Sequence, residues 1–187
     1  AEIFFYLLFD GFAEDMEELG ETEQDVYLCK LVELGLNLAY FLEKEQSYAL
    51  SKKLDVLLDC YKERGLNDGR ILKGCVYYYF MALRVPKELF GTNEKKIQQL
   101  QEVGVKLEEC LRQIQELLRK KEADVYERKQ LQLLESQCCG NLGGVHLEIG
   151  KLYLKNDSKK PALTEFDAAA KYNWKAIELK KDAKTGE

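Results

Sequence analysis

The chain is short of several things. It has two prolines, one histidine and one tryptophan in 187 residues, no Cys-x-x-Cys pair and no long apolar run. Scarce proline beside abundant Leu, Glu and Lys argues against disorder and leans toward helix. The longest apolar stretches, Ile3 to Phe9 and Val76 to Leu83, fall well below the roughly 18 residues of a membrane span. An excess of positive charge is also missing: the net charge is −5 and the pI about 5.2, so nothing in the bulk recommends nucleic acid as a partner. The first residues, AEIFFYLLFDGF, have neither an initiating Met nor a basic n-region, which reads as a domain edge rather than a signal peptide. The expectation is one domain over 1–187, a fragment of a longer intracellular protein, cytoplasmic or nuclear.

What is present is helical periodicity. Leu28, Leu31, Val32, Leu34, Leu38, Phe41 and Leu42 recur at three and four, as do Leu50, Leu54, Leu57, Leu58 and Tyr61. The aromatic cluster Tyr77-Tyr78-Tyr79-Phe80 runs into a helix-compatible pattern and is read as helix, with Tyr77 toward the core and Tyr78 free for a partner. Turn signals sit at Gly20, at 64–69, at Pro86, at Gly91-Thr92-Asn93 and at Asn156-Asp157-Ser158, with a further break allowed at Asp10-Gly11. They predict helices near 3–18, 23–44, 47–64, 69–84, 94–121, 124–155 and 159–181, an all-α chain. Within 94–121 the near-heptad Ile97, Leu100, Val103, Leu107, Leu111, Ile114, Leu117 and Leu118 fits an intramolecular helix pair better than a coiled coil. Charge is uneven, with nine acids and one lysine in 1–30 against nine lysines and six acids in 151–187.

One stretch, CCGNLGGVH over 138–146, invites a chemical reading. Cys138 and Cys139 are adjacent, so they project about 100° apart on a helix and suit a tetrahedral metal site poorly. No Walker lysine follows the glycines and no strand precedes them, so neither a phosphate loop nor a dinucleotide fold is predicted. Cys139 and His146 lie two helical turns apart, roughly 10 Å along the axis, too far for direct proton transfer. Catalysis, metals and cofactors are therefore not expected. All six cysteines are expected to be reduced thiols, most of them in apolar helical patterns. The glycines could instead mark close packing, or a break near Gly140.

The segment that follows carries a repeat pattern: His146-x2-Ile149-Gly150-x2-Tyr153, then Ala162-x3-Phe166 and Ala169. In order and spacing it resembles the tetratricopeptide repeat signature, W-x2-L-G-x2-Y followed by A-x3-F. His146 stands where the family has Trp, and Trp174 where it often has a closing Pro. Fainter copies occur at Leu36-Asn37-x2-Tyr40 with Ala49, and at Lys73-Gly74-x2-Tyr77, on a looser period than the family's 34 residues. The clearest repeat spans 140–174. The resemblance implies antiparallel helical hairpins stacked as a superhelix, the alternative being an irregular helical bundle.

It further implies a non-enzymatic scaffold holding a peptide or helix of another protein in a concave groove. Projection of the family's groove positions selects Leu34, Leu38 and Phe41, then Ile71, Cys75 and Tyr78, then Leu147, Lys151 and Leu154. Lys151 and Lys155 would favour an acidic partner. The alternative function is a bundle that oligomerises or docks through helix 94–121. Neither membrane nor nucleic acid is expected as a partner; self-association is left open.

Overall fold

The computed structural model describes residues 2–39, 41–42, 44–66, 69–82, 89–120 and 125–185. Their elements are α1 (Glu2–Asp10), α2 (Phe12–Glu18), α3 (Glu21–Ala39), α4 (Lys44–Glu63), α5 (Gly69–Ala82), α6 (Asn93–Arg119), α7 (Val125–Lys155) and α8 (Lys159–Thr185). No strand occurs among the described residues, and none of these helices is long and apolar enough to cross a membrane. Tyr40, Pro86 and the Asn67-Asp68 pair lie outside the described residues, as does the side chain of Ala49. The chain packs as two compact units, 1–74 and 75–187, where the sequence reads as one domain.

In the first unit, the expected helix over 3–18 is two helices, because Gly11 closes α1 in a turn. Its N–H donates to the carbonyl of Leu7 at 3.2 Å, and its own carbonyl accepts from Asp15 at 2.9 Å, opening α2. Glycine's low helix propensity at an Asp-Gly pair accounts for the interruption. The periodic residues Leu28, Leu31 and Val32 of α3 and Leu54, Leu57 and Leu58 of α4 form the core, joined by Phe5 of α1. Gly35 makes that junction possible: a Cβ there would lie 2.5 Å from Leu54 and 2.8 Å from the Phe5 ring. At the far end Arg64 closes onto Asp25 and Gln24, and Gly65 takes a positive φ of 65° that glycine tolerates without strain.

In the second unit, α6, α7 and α8 run up, down and up, with α7 packed on both neighbours. Thr92 caps α6 by accepting from the N–H of Lys95 at 3.3 Å, after Gly91 reverses the chain at φ 77°. Asp157, at φ 54°, turns α7 into α8, with the Ser158 N–H donating to the carbonyl of Tyr153 at 2.9 Å. The α6 stripe is buried within the chain, from Ile97 through Leu100, Val103 and Leu107 to Ile114. That is the intramolecular pairing expected of it. Of the three tyrosines in α5, Tyr78 and Tyr79 are buried and Tyr77 is half-buried, reversing the expected order. Tyr78 and Tyr79 meet edge to face at 5.2 Å.

Candidate partner-binding face

The glycine-rich stretch lies inside an unbroken α7, so the expected alternative of a break near Gly140 does not occur. In mid-helix each glycine costs about 1 kcal/mol relative to alanine, and α8 supplies the reason for two of them. A Cβ on Gly150 would sit 2.6 Å from the Phe166 ring, and one on Gly143 would overlap the Asn173 carboxamide. Gly140, one turn earlier, faces only the methyl of Ala176 at 4.0 Å. Each step along α7 is thus matched by an equal step back along α8, the register of a close antiparallel pair. On α8 the buried partners are small: Ala162, Ala169 and Ala183.

His146 occupies one flank of this seam. Its ring stacks on Tyr172 at 5.4 Å and 9°, and its Nδ1 donates to Glu165 Oε2 at 2.7 Å, since a carboxylate can only accept. Tyr172 in turn donates to Glu108 of α6 at 3.1 Å, tying three helices together. Burial, with Glu108 adding to it, pushes the Tyr172 hydroxyl up to about 12. The Nδ1 and one ring face of His146 are therefore taken up by structural contacts.

The neighbouring thiols are buried. Cys138 donates to the Leu107 carbonyl at 3.2 Å, and desolvation raises its pKa far above the usual thiol range. Cys139 is pushed up to about 11, again chiefly by burial. A thiol held protonated at neutral pH is a poor nucleophile and a poor metal ligand. No three His, Cys, Asp or Glu side chains among the described residues gather into a group that could hold a metal ion.

The opposite flank is different. At about 100° per residue, Leu147, Lys151 and Leu154 of α7 and Leu163, Trp174 and Ile177 of α8 lie on the side of the seam away from Glu108 and α6. All six are exposed, Trp174 at 63% and Leu163 at 64%. On α8 the spacing 163, 170, 174, 177 forms one stripe, completed by the exposed Ala170. Lysines 151, 155, 159 and 160 surround its Leu154–Leu163 end, all exposed, with Lys151 paired to Glu148 at 2.5 Å.

Of the groove residues projected from sequence, this flank holds Leu147, Lys151, Leu154 and Lys155. Leu38, Ile71, Cys75 and Tyr78 are buried, Tyr78 to 4% exposure, and so offer a partner no surface; Leu34 is half-buried. Phe41 is exposed at 86% in the first unit. Apolar residues at helical spacing more often pack inward than line a groove, and here four of the projected positions do so. Leu163, Trp174 and Ile177 were not among them, because the projection followed the first helix of each hairpin. Their 3.6-residue spacing on α8 was the available signal. Comparisons of the chain with family models, with curated proteins and with solved structures found no match.

Proposed function

We propose that the chain is a non-enzymatic protein-interaction scaffold made of antiparallel helical hairpins in the tetratricopeptide manner, and that the outer flank of the α7–α8 hairpin engages another protein. The carrying observation is that three large apolar residues of α8, Leu163, Trp174 and Ile177, face water, while its buried positions are alanines and Phe166 packs on Gly150. Large apolar residues grouped on one face mark interaction sites, and Trp is prominent among binding hot spots. The close Gly150–Phe166 contact and the buried Ala162 support the tetratricopeptide reading, as small and large residues of its signature meet in the expected way. The projected groove is revised accordingly: its exposed members on α7 are kept, and its buried members are released to the core. The alternative of docking through α6 is not pursued, since that stripe is already buried within the chain.

Affinity capture with the intact chain tests this. Proteins retained by the wild type should be lost from Leu163→Glu/Trp174→Glu, with helicity by circular dichroism unchanged. Equal retention by the folded variant, or no saturable retention by the wild type, contradicts the reading.

A further inference from the structure

We infer that Tyr6, Phe9 and Asp10 form a cation site that the protein fills with its own Lys53, and that the site takes a quaternary ammonium group in competition with that lysine. The site lies within the first unit and is independent of the partner reading of the α7–α8 flank.

The sequence sets out the walls. Residues 6, 9 and 10 stand at i, i+3 and i+4, so two aromatic rings and a carboxylate share one face of α1. Lys53 of α4 brings its ammonium to that face. Its Nζ lies over both rings, 4.1 Å from the Phe9 centroid and 5.1 Å from that of Tyr6, and donates to Asp10 Oδ1 at 2.8 Å. Both ring distances fall inside the roughly 6 Å within which the negative face of an aromatic ring attracts a cation. The lysine is thus a stand-in ligand, showing where a positive charge sits and what holds it.

The walls are held from behind. Phe5 is wholly buried and meets the Tyr6 ring edge to face at 5.9 Å and the Phe9 ring at 6.3 Å. Both walls therefore lean on the core of the unit, on a helix rather than a loop, which is what a preformed site requires. Their other sides reach water: Tyr6 and Phe9 are half-buried, and the Asp10 side chain is 67% exposed. Once the Lys53 ammonium is displaced, rings and carboxylate are open to a ligand from solution.

Chemistry selects that ligand. A primary ammonium is a compact, strongly hydrated charge, and here it recovers one hydrogen bond, from Asp10. A quaternary ammonium donates no hydrogen bond, spreads its charge over methyl groups and sheds water at lower cost, so it draws more from the rings and needs Asp10 only as a countercharge. The same group is carried by trimethyllysine in another protein and by choline. Lys53 competes from within the chain at high effective concentration, so the site is guarded by its own lysine.

The probe is tetramethylammonium, titrated into the intact protein and followed by proton NMR. The expected result is a saturable upfield shift of its methyl protons, with affinity at least tenfold higher in Lys53→Ala than in wild type at unchanged helicity. Lys53→Gln replaces the alanine variant should that one lose helicity. Adding Phe9→Leu to the lysine variant should weaken binding about tenfold, and adding Asp10→Asn several-fold. Equal affinity of wild type and the lysine variant overturns the proposal, since Lys53 is then not the occupant. So does binding indifferent to Phe9→Leu, or equal binding of tert-butanol, which is neutral and of similar size. A trimethyllysine peptide and choline are then set against the probe: the one that displaces it at lower concentration identifies the source, and failure of both overturns the assignment.

Discussion

Helices α6 and α8 are each 27 residues long and each carry an apolar stripe, yet they use it in opposite ways. In α6 the large residues Leu100, Leu107 and Ile114 are fully buried. In α8 the inward positions are Ala162, Ala169 and Phe166, whose ring packs on Gly150, while Leu163 and Trp174 face water. The α6 seam is stabilised by volume, the α8 seam by closeness, with Gly143 and Gly150 drawing the backbones together. Where small residues suffice to hold a helix pair, large ones remain available for another molecule.

The contrast is broken most forcefully in α6. Leu107→Ala removes a fully buried side chain, so a loss of about 3 kcal/mol is expected in urea unfolding. A change under 1 kcal/mol would show that the α6 stripe is not structural.

Lys96 is next in size, since it is a cation within that same buried stripe. It is 5% exposed, lies 4.6 Å above the Phe90 ring, and is pushed down to about 8 by burial, with Glu148 partly opposing. The unfolded chain keeps this proton up to about 10.5 and the folded chain only to about 8. Between those values the unfolded state binds more protons, so the lysine's penalty fades and its contribution to stability rises with pH. Lys96→Met should be more stable at pH 7 by on the order of 2 kcal/mol. That advantage should shrink between pH 8 and 10.5; a difference from wild type constant with pH would contradict the assignment.

Two glycines of α7 sharpen the α8 side of the comparison. Gly150→Ala drives a methyl into Phe166, and the overpacking should outweigh the gain in helix propensity, for a net loss of about 1 kcal/mol. Gly140→Ala meets only Ala176 at ordinary contact distance and should gain about 0.5 kcal/mol. Thermal melts of the pair should move in opposite directions. The smallest effect belongs to the exposed stripe, where Leu163→Ala should change stability by under about 0.5 kcal/mol.

Much of the architecture is legible in the sequence. Helices expected over 94–121, 124–155 and 159–181 occur at Asn93–Arg119, Val125–Lys155 and Lys159–Thr185, because periodicity and turn residues such as Gly91 and Asp157 act locally. The α4 stripe is buried as its spacing predicts, and so are Leu28, Leu31, Val32 and Leu38 of α3 and Ile97 to Ile114 of α6, while Leu34, Leu117 and Leu118 are half-buried and Phe41 is exposed. The orientation of α8 is less legible: alanines and the glycines of α7 decide which side packs, while hydrophobic scale points to Trp174 and Ile177. The same scale makes core residues such as Ile71 and Tyr78 look like groove residues, since burial depends on which neighbours arrive rather than on the residue itself. Lys96 carries no signal in its own segment, because its burial comes from Phe90 and the packing around α6.

The most direct measurement is collisional quenching of Trp174 fluorescence by acrylamide in dilute protein, before and after adding a protein recovered by affinity capture. The account predicts ready quenching in the isolated chain, where Trp174 is 63% exposed, and strong protection at saturating partner. A Trp174 already shielded in dilute protein, or left equally accessible under saturating partner, would contradict it.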